Sequence, residues 1–94
     1  MILQFIKLKS KLPEEELLKR AQERKPQFEA TSGLLQKYYV KMDGGQYGGM
    51  YVWDSPASLQ AFRETDLAKS IPEAYEIVEA PQVEIMHIMF QLRG

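Results

Sequence analysis

Apolar and polar residues first alternate in Ile2 to Lys9 (ILQFIKLK). One alternating set is Ile2, Gln4, Ile6 and Leu8, and the other is Leu3, Phe5, Lys7 and Lys9. Both sets begin apolar, which predicts a central strand covered on two sides. Pro13-Glu14-Glu15-Glu16 predicts a helix start, because proline suits the first helical position and carboxylates suit the positive end of the helix dipole. Leu17, Leu18 and Ala21 supply the buried stripe, and Glu15/Lys19 and Glu16/Arg20 pair one turn apart. Pro26 is expected to end or kink this helix, with Phe28 anchoring the next segment. Thr31-Ser32-Gly33 reads as a turn and Leu34 to Met42 as a strand. Asp43-Gly44-Gly45 is a tight-turn signal and Tyr47 to Trp53 a third strand, so the two strands form a hairpin. Asp54-Ser55-Pro56 predicts a capped second helix with apolar positions at Ala57, Leu59, Ala61, Phe62 and Leu67. Pro72 closes that segment. Tyr75 to Ala80 is either a short strand or an irregular connection, and Val83 to Leu92 (VEIMHIMFQL) is the last strand.

The order is β-α-β-β-α-β, the ferredoxin-like α+β pattern of a four-stranded antiparallel sheet with both helices on one face. With 94 residues the chain is expected to be one domain, residues 1–94. Four of its six glycines fall in DGGQYGGMYVWDSP, from Asp43 to Pro56. A phosphate loop needs its glycines between a strand and a helix N-terminus. Here Gly44 and Gly45 join two strands, and Gly48 and Gly49 lie within the second of them. That pair marks either a bulge or a place where something packs close to the backbone.

Charge narrows the function further. Twelve basic and thirteen acidic residues give a formal net charge of −1, which leaves no electrostatic footprint for nucleic acid or an anionic membrane. The absence of cysteine excludes disulfides, thiolate metal sites and a cysteine nucleophile, and fits a cytoplasmic location. A single histidine excludes a multi-histidine metal site within one chain. No apolar run approaches the roughly 18 residues of a membrane span.

With both helices on one face, the apolar second face of the sheet is expected to be covered by a second copy in a homodimer, the alternative being the chain's own loops, of which 94 residues leave few. Helices are expected to prefer smooth aliphatic surface, which assigns Met50 and Val52 to the helix side. Tyr51 and Trp53 then fall on the open side, together with Gln4 and Ile6 from the first strand and His87, Ile85 and Met89 from the last. An apolar pocket with a few convergent polar groups is the expected small-molecule site. In this reading His87 is a candidate acid or base, and Tyr51 and Trp53 stack on or hydrogen-bond to an aromatic ligand. Gln4, Ile6, Gln36, Tyr39 and Met89 shape the pocket. A non-catalytic binding module and a structural dimer with a filled interior are the competing readings.

The segment Gly33-Leu34-Leu35 with Lys37, then Gly48-Gly49-Met50-Tyr51-Val52-Trp53-Asp54-Ser55-Pro56, then Ala57, Leu59, Ala61 and Phe62, resembles the YdhR-type family. Its members are named monooxygenases by similarity and belong to the dimeric α+β barrel superfamily, beside the antibiotic-biosynthesis monooxygenases. The resemblance implies a chain that dimerises sheet to sheet with one pocket per subunit. It also implies oxidation of a small aromatic quinol or anthrone by dioxygen with no metal, flavin or haem. The anthrone-oxidising relatives are associated with an asparagine plus Trp and Tyr. This chain has no asparagine, and Trp53 and Tyr51 match part of that set.

Overall fold

The computed structural model describes residues 1–93; Gly94, the last residue of the expected domain, lies outside them. The strands are β1 (Ile2–Lys9), β2 (Leu34–Met42), β3 (Gln46–Trp53) and β4 (Gln82–His87). The helices are α1 (Glu14–Glu29), α2 (Pro56–Arg63), α3 (Asp66–Lys69) and α4 (Ile71–Ala74). The sheet is antiparallel in the order β2-β3-β1-β4, which is the ferredoxin-like arrangement. No helix among the described residues is long and apolar enough to cross a membrane.

Local chemistry explains most of the element boundaries. Gly44 and Gly45 both turn at positive φ, +80° and +76°, and close the β2–β3 hairpin. Ser55 caps α2, its hydroxyl accepting from the Ser58 N–H, and Pro56 occupies the first turn. Pro26 does not end α1, which continues to Glu29. The carbonyl that loses its partner belongs to Gln22, and Gln22 and Pro26 are both exposed, so that carbonyl lies on the solvent side of the helix. Beyond the proline, Phe28 is buried at 4% exposure and holds the last turn against the sheet.

The last strand is shorter than expected. β4 stops at His87 because its partner stops: His87 pairs with Ile2, and only the Ile88 N–H finds one further acceptor, Met1 O. Met89, Phe90 and Leu92 lie beyond the sheet and are largely exposed. The Gly48-Gly49 pair makes no bulge either. Lys7 faces Gly48 and Ile6 faces Gly49 in unbroken register, and the irregularity sits instead between Leu34 and Gln36 on β2.

The core lies between the sheet and the helices, and its assignment reverses the expected faces. Tyr51 and Trp53 are on the helix side, at 2% and 0% exposure. Their rings tile against Phe28 of α1 and Phe62 of α2, with Trp53 and Phe62 centroids 5.1 Å apart and the Tyr51 and Phe62 centroids 5.8 Å apart. Tilted aromatic packing at such distances is favourable, so bulky β3 rings fill the wedge between two helices that each contribute a phenylalanine. Register carries Ile2, Gln4, Ile85 and His87 to the same side. Met50 and Val52 therefore take the helix-free face, with Leu3, Phe5, Val40 and Met42.

Candidate functional site

A cavity of about 140 Å³ opens between the sheet and α1, predominantly apolar in its lining. That volume is comparable to a cavity that holds one benzene ring, about 150 Å³. Ile6 and Leu8 of β1, Leu17 and Ala21 of α1, Gly49 and Tyr51 of β3, and Ile71 and Tyr75 form much of the wall. β2 contributes Lys37, Tyr39 and Lys41, which alternate onto the helix side opposite Tyr51, Gly49 and Tyr47. Gly49 makes room for this arrangement. A Cβ there would sit 3.0 Å from Tyr51 Cε1 and 3.4 Å from Lys37 Cε.

Lys37 is the unusual residue of the wall. Its Nζ lies 3.4 Å from the ring centroid of Phe28, 4.3 Å from that of Tyr39 and 4.6 Å from that of Tyr51. No carboxylate among the described residues pairs with it. Burial, and secondarily the charge of Arg24, lower its pKa from 10.5 to about 7. The second lysine of the wall is different. Lys41 is ion-paired with Glu14 Oε1 at 2.8 Å, mostly exposed, and its pKa is raised by that pair.

The remaining polar groups converge near Lys37. Burial raises the Tyr39 phenol to about 12, helped by Tyr75, and raises Tyr51 and Tyr75 as well. All three therefore stay protonated near neutral pH and present donors. Arg24 packs over the Phe28 and Tyr75 rings, 5.9 and 5.7 Å from their centroids. One of its terminal nitrogens donates to Leu67 O and Ser70 Oγ. Arg24 Nε and Tyr75 Oη are both buried without a hydrogen-bond partner. The wall thus brings the Lys37 amine and three phenols together, with the Arg24 guanidinium packed on the Tyr75 ring and no carboxylate paired with Lys37.

The expected site residues fare unequally. Ile6, Tyr39 and Tyr51 line the cavity. Trp53 and Gln4 lie deeper on the same side, where the indole Nε1–H donates to Gln4 Oε1 at 3.0 Å with both residues buried. His87 shares their face but sits at the exposed end of edge strand β4, away from the cavity wall. Gln36 points to the helix-free face opposite Val52, and Met89 is 93% exposed beyond β4. Lys37, Tyr75 and Arg24 emerge only here. Lys37 was within reach of sequence pattern, since it alternates with Tyr39 on β2. Among the described residues no group of three or more His, Cys, Asp or Glu side chains is placed to hold a metal ion.

The fold and this cavity define a ferredoxin-like α+β protein with a partly open pocket between sheet and helix, walled in part by aromatic rings. No family model matches the sequence, and no curated protein matches it. Solved structures do share the fold. A protein of unknown function from Nitrosomonas europaea, NE2512, superposes with a TM-score of 0.80 at 19% identity, covering 99% of this chain and 93% of that one. SnoaB, a cofactor-independent oxygenase from Streptomyces nogalater, gives 0.78 at 8% identity over 99% of this chain and 97% of its own. An antibiotic biosynthesis monooxygenase gives 0.75 at 15% identity over 95% and 99%. At these identities the likeness establishes a common architecture.

Proposed function

We propose that the chain is a cofactor-independent monooxygenase of the YdhR type, acting on a single-ring quinol held in the cavity between the sheet and α1. The observation that carries this reading is the cavity itself: sized for one aromatic ring, predominantly apolar, with the Lys37 amine in its wall. The shared fold with SnoaB, a cofactor-independent oxygenase, adds support. The volume favours one ring over a fused tricyclic anthrone.

The reaction needs no external reductant. A quinol and dioxygen yield a hydroxyquinone and water: one oxygen atom replaces a ring hydrogen and the other leaves as water. All four electrons come from the substrate, two in passing from quinol to quinone and two from the carbon that gains oxygen. The protein's part is to expel water, orient the ring and stabilise the anion that reduces dioxygen. A second copy covering the helix-free face completes the proposal. Leu3, Phe5, Val40, Met42, Met50 and Val52 make that face apolar, and Tyr38 and Met86 are 54% and 40% exposed on it.

One observation favours a second reading. The only imidazole, His87, stands outside the cavity, as suits a binding module with no turnover. Dioxygen uptake with a panel of single-ring quinols separates the two. The oxygenase consumes dioxygen above the uncatalysed rate and forms one hydroxyquinone for each molecule taken up. Saturable quinol binding with no uptake above that rate sinks the oxygenase and leaves the binding module.

A further inference from the structure

The Lys37 amine in the cavity wall lacks a counter-charge. Lys37 Nζ is enclosed by the Phe28, Tyr39 and Tyr51 rings. Every titratable group facing it is a cation or a neutral phenol: Arg24 from α1, Tyr39 from β2, Tyr51 from β3 and Tyr75 following α4. The nearest acid of the wall, Glu14, is held at the rim by Lys41. A buried ammonium with no partner is costly, and Tyr75 Oη and Arg24 Nε are buried donors with nothing to donate to. The Lys37 ammonium and the Tyr75 hydroxyl both belong to wall residues, and both are met by one ligand group, an anionic oxygen on an aromatic ring.

We propose that Lys37 accepts the phenolic proton of the bound ring and then holds the resulting phenolate as its ammonium counter-ion, with the Tyr75 hydroxyl donating to the same oxygen. This rests on the reading of the cavity as a phenol site and moves the role of base from His87 to Lys37. In the transfer the phenol O–H bond breaks, its electron pair stays on oxygen, and the proton bonds to the neutral amine. The phenolate gains an ammonium contact in a predominantly apolar pocket, where such a pair is stronger than in water. The amine is available for this near neutral pH because burial disfavours its charged form. The same ion pair leaves the ring electron-rich, which is the state that gives an electron to dioxygen.

The test uses para-nitrophenol, whose phenolate is coloured and which does not undergo the oxidation. The full chain is titrated with it across pH, and the phenolate band of the bound dye is read. Bound to the wild type, the dye is expected to ionise at least about one pH unit below its midpoint in buffer, the size of shift an adjacent cation produces. In Lys37→Met the midpoint rises above that of the free dye, because the apolar wall favours the neutral form. Lys37→Arg keeps the charge but has no amine to protonate, so it binds only phenolate and its affinity falls as the dye protonates. Tyr75→Phe weakens binding of the phenolate and raises the midpoint part of the way, leaving it below that of the free dye because Lys37 remains. Equal midpoints in wild type and Lys37→Met, or no binding of the dye by the wild type, overturn the proposal. A lowered midpoint with no dioxygen uptake on quinols leaves Lys37 as proton acceptor and removes the oxygenase.

Discussion

Replacing Lys37 by methionine should stabilise the protein, and by an amount that depends on pH. The amine ionises at 10.5 when unperturbed and at about 7 in the folded chain. At about 1.4 kcal/mol for each pH unit, that difference corresponds to about 5 kcal/mol of destabilisation when the amine is charged in both states. The Phe28, Tyr39 and Tyr51 rings act against this, since a cation over an aromatic face gains about 0.5 to 2 kcal/mol. The net cost of the ammonium is then about 3 to 4.5 kcal/mol by the same arithmetic. The sign comes from proton counting. Below about pH 7 both states are protonated and the full cost is present. Between about pH 7 and 10.5 the unfolded chain holds more protons than the folded one, so stability rises with pH. Above that window neither state carries the charge. Methionine keeps an unbranched side chain and makes favourable sulfur–aromatic contacts, so packing is nearly preserved. Urea denaturation of wild type and Lys37→Met at pH 6, 8 and 10 reads the difference directly, because every other titrating group is common to both. The gap is expected to be largest at pH 6 and to shrink steadily towards pH 10. A gap that does not change with pH, or a variant less stable than wild type at pH 6, would refute the assigned burial of the amine.

Single contacts set three other outcomes. Gln4→Leu strands the buried Trp53 indole N–H, now bonded at 3.0 Å, and should lower stability by about 1 to 3 kcal/mol in chemical denaturation. Gly48→Ala would place a Cβ 2.6 Å from the Ile6 carbonyl oxygen and 2.9 Å from the Phe5 ring; since backbone must move, a loss of about 1 to 3 kcal/mol is expected, and an unchanged denaturation midpoint would contradict the close packing of β1 on β3. Light scattering of the purified chain at micromolar concentration should give the mass of a dimer, and Phe5→Lys, which puts a charge on the apolar helix-free face, should shift it towards monomer; a wild-type monomer would remove the paired-sheet proposal.

The element order was legible from periodicity and turn chemistry alone. Two-residue alternation in Ile2 to Lys9, glycines at the hairpin, and Ser55-Pro56 ahead of an apolar helical stripe are local signals, set by backbone sterics and by hydrogen bonds within a few residues. They led to the ferredoxin-like fold. Where local rules depend on a neighbour, they stopped short. Pro26 stays within α1 because Phe28 packs into the core beyond it and Gln22, whose carbonyl loses its partner, is on the exposed side. β4 ends at His87 because the pairing partner of His87, Ile2, is the first residue of β1. Which face of β3 meets the helices was beyond local pattern, since both of its alternating sets contain apolar side chains. Packing against Phe28 and Phe62 decided it in favour of Tyr51 and Trp53. Alternation had grouped Gln4, Ile6, Tyr51, Trp53 and His87 correctly on one side, yet a group's membership does not say which layer covers it. The same packing set Lys37, partly buried, among three rings and left His87 at an open edge. A side chain's charge state and reach are properties of what surrounds it, and Lys37 of β2 is surrounded by Phe28 and Arg24 of α1 and Tyr51 of β3 as well as its own strand neighbour Tyr39.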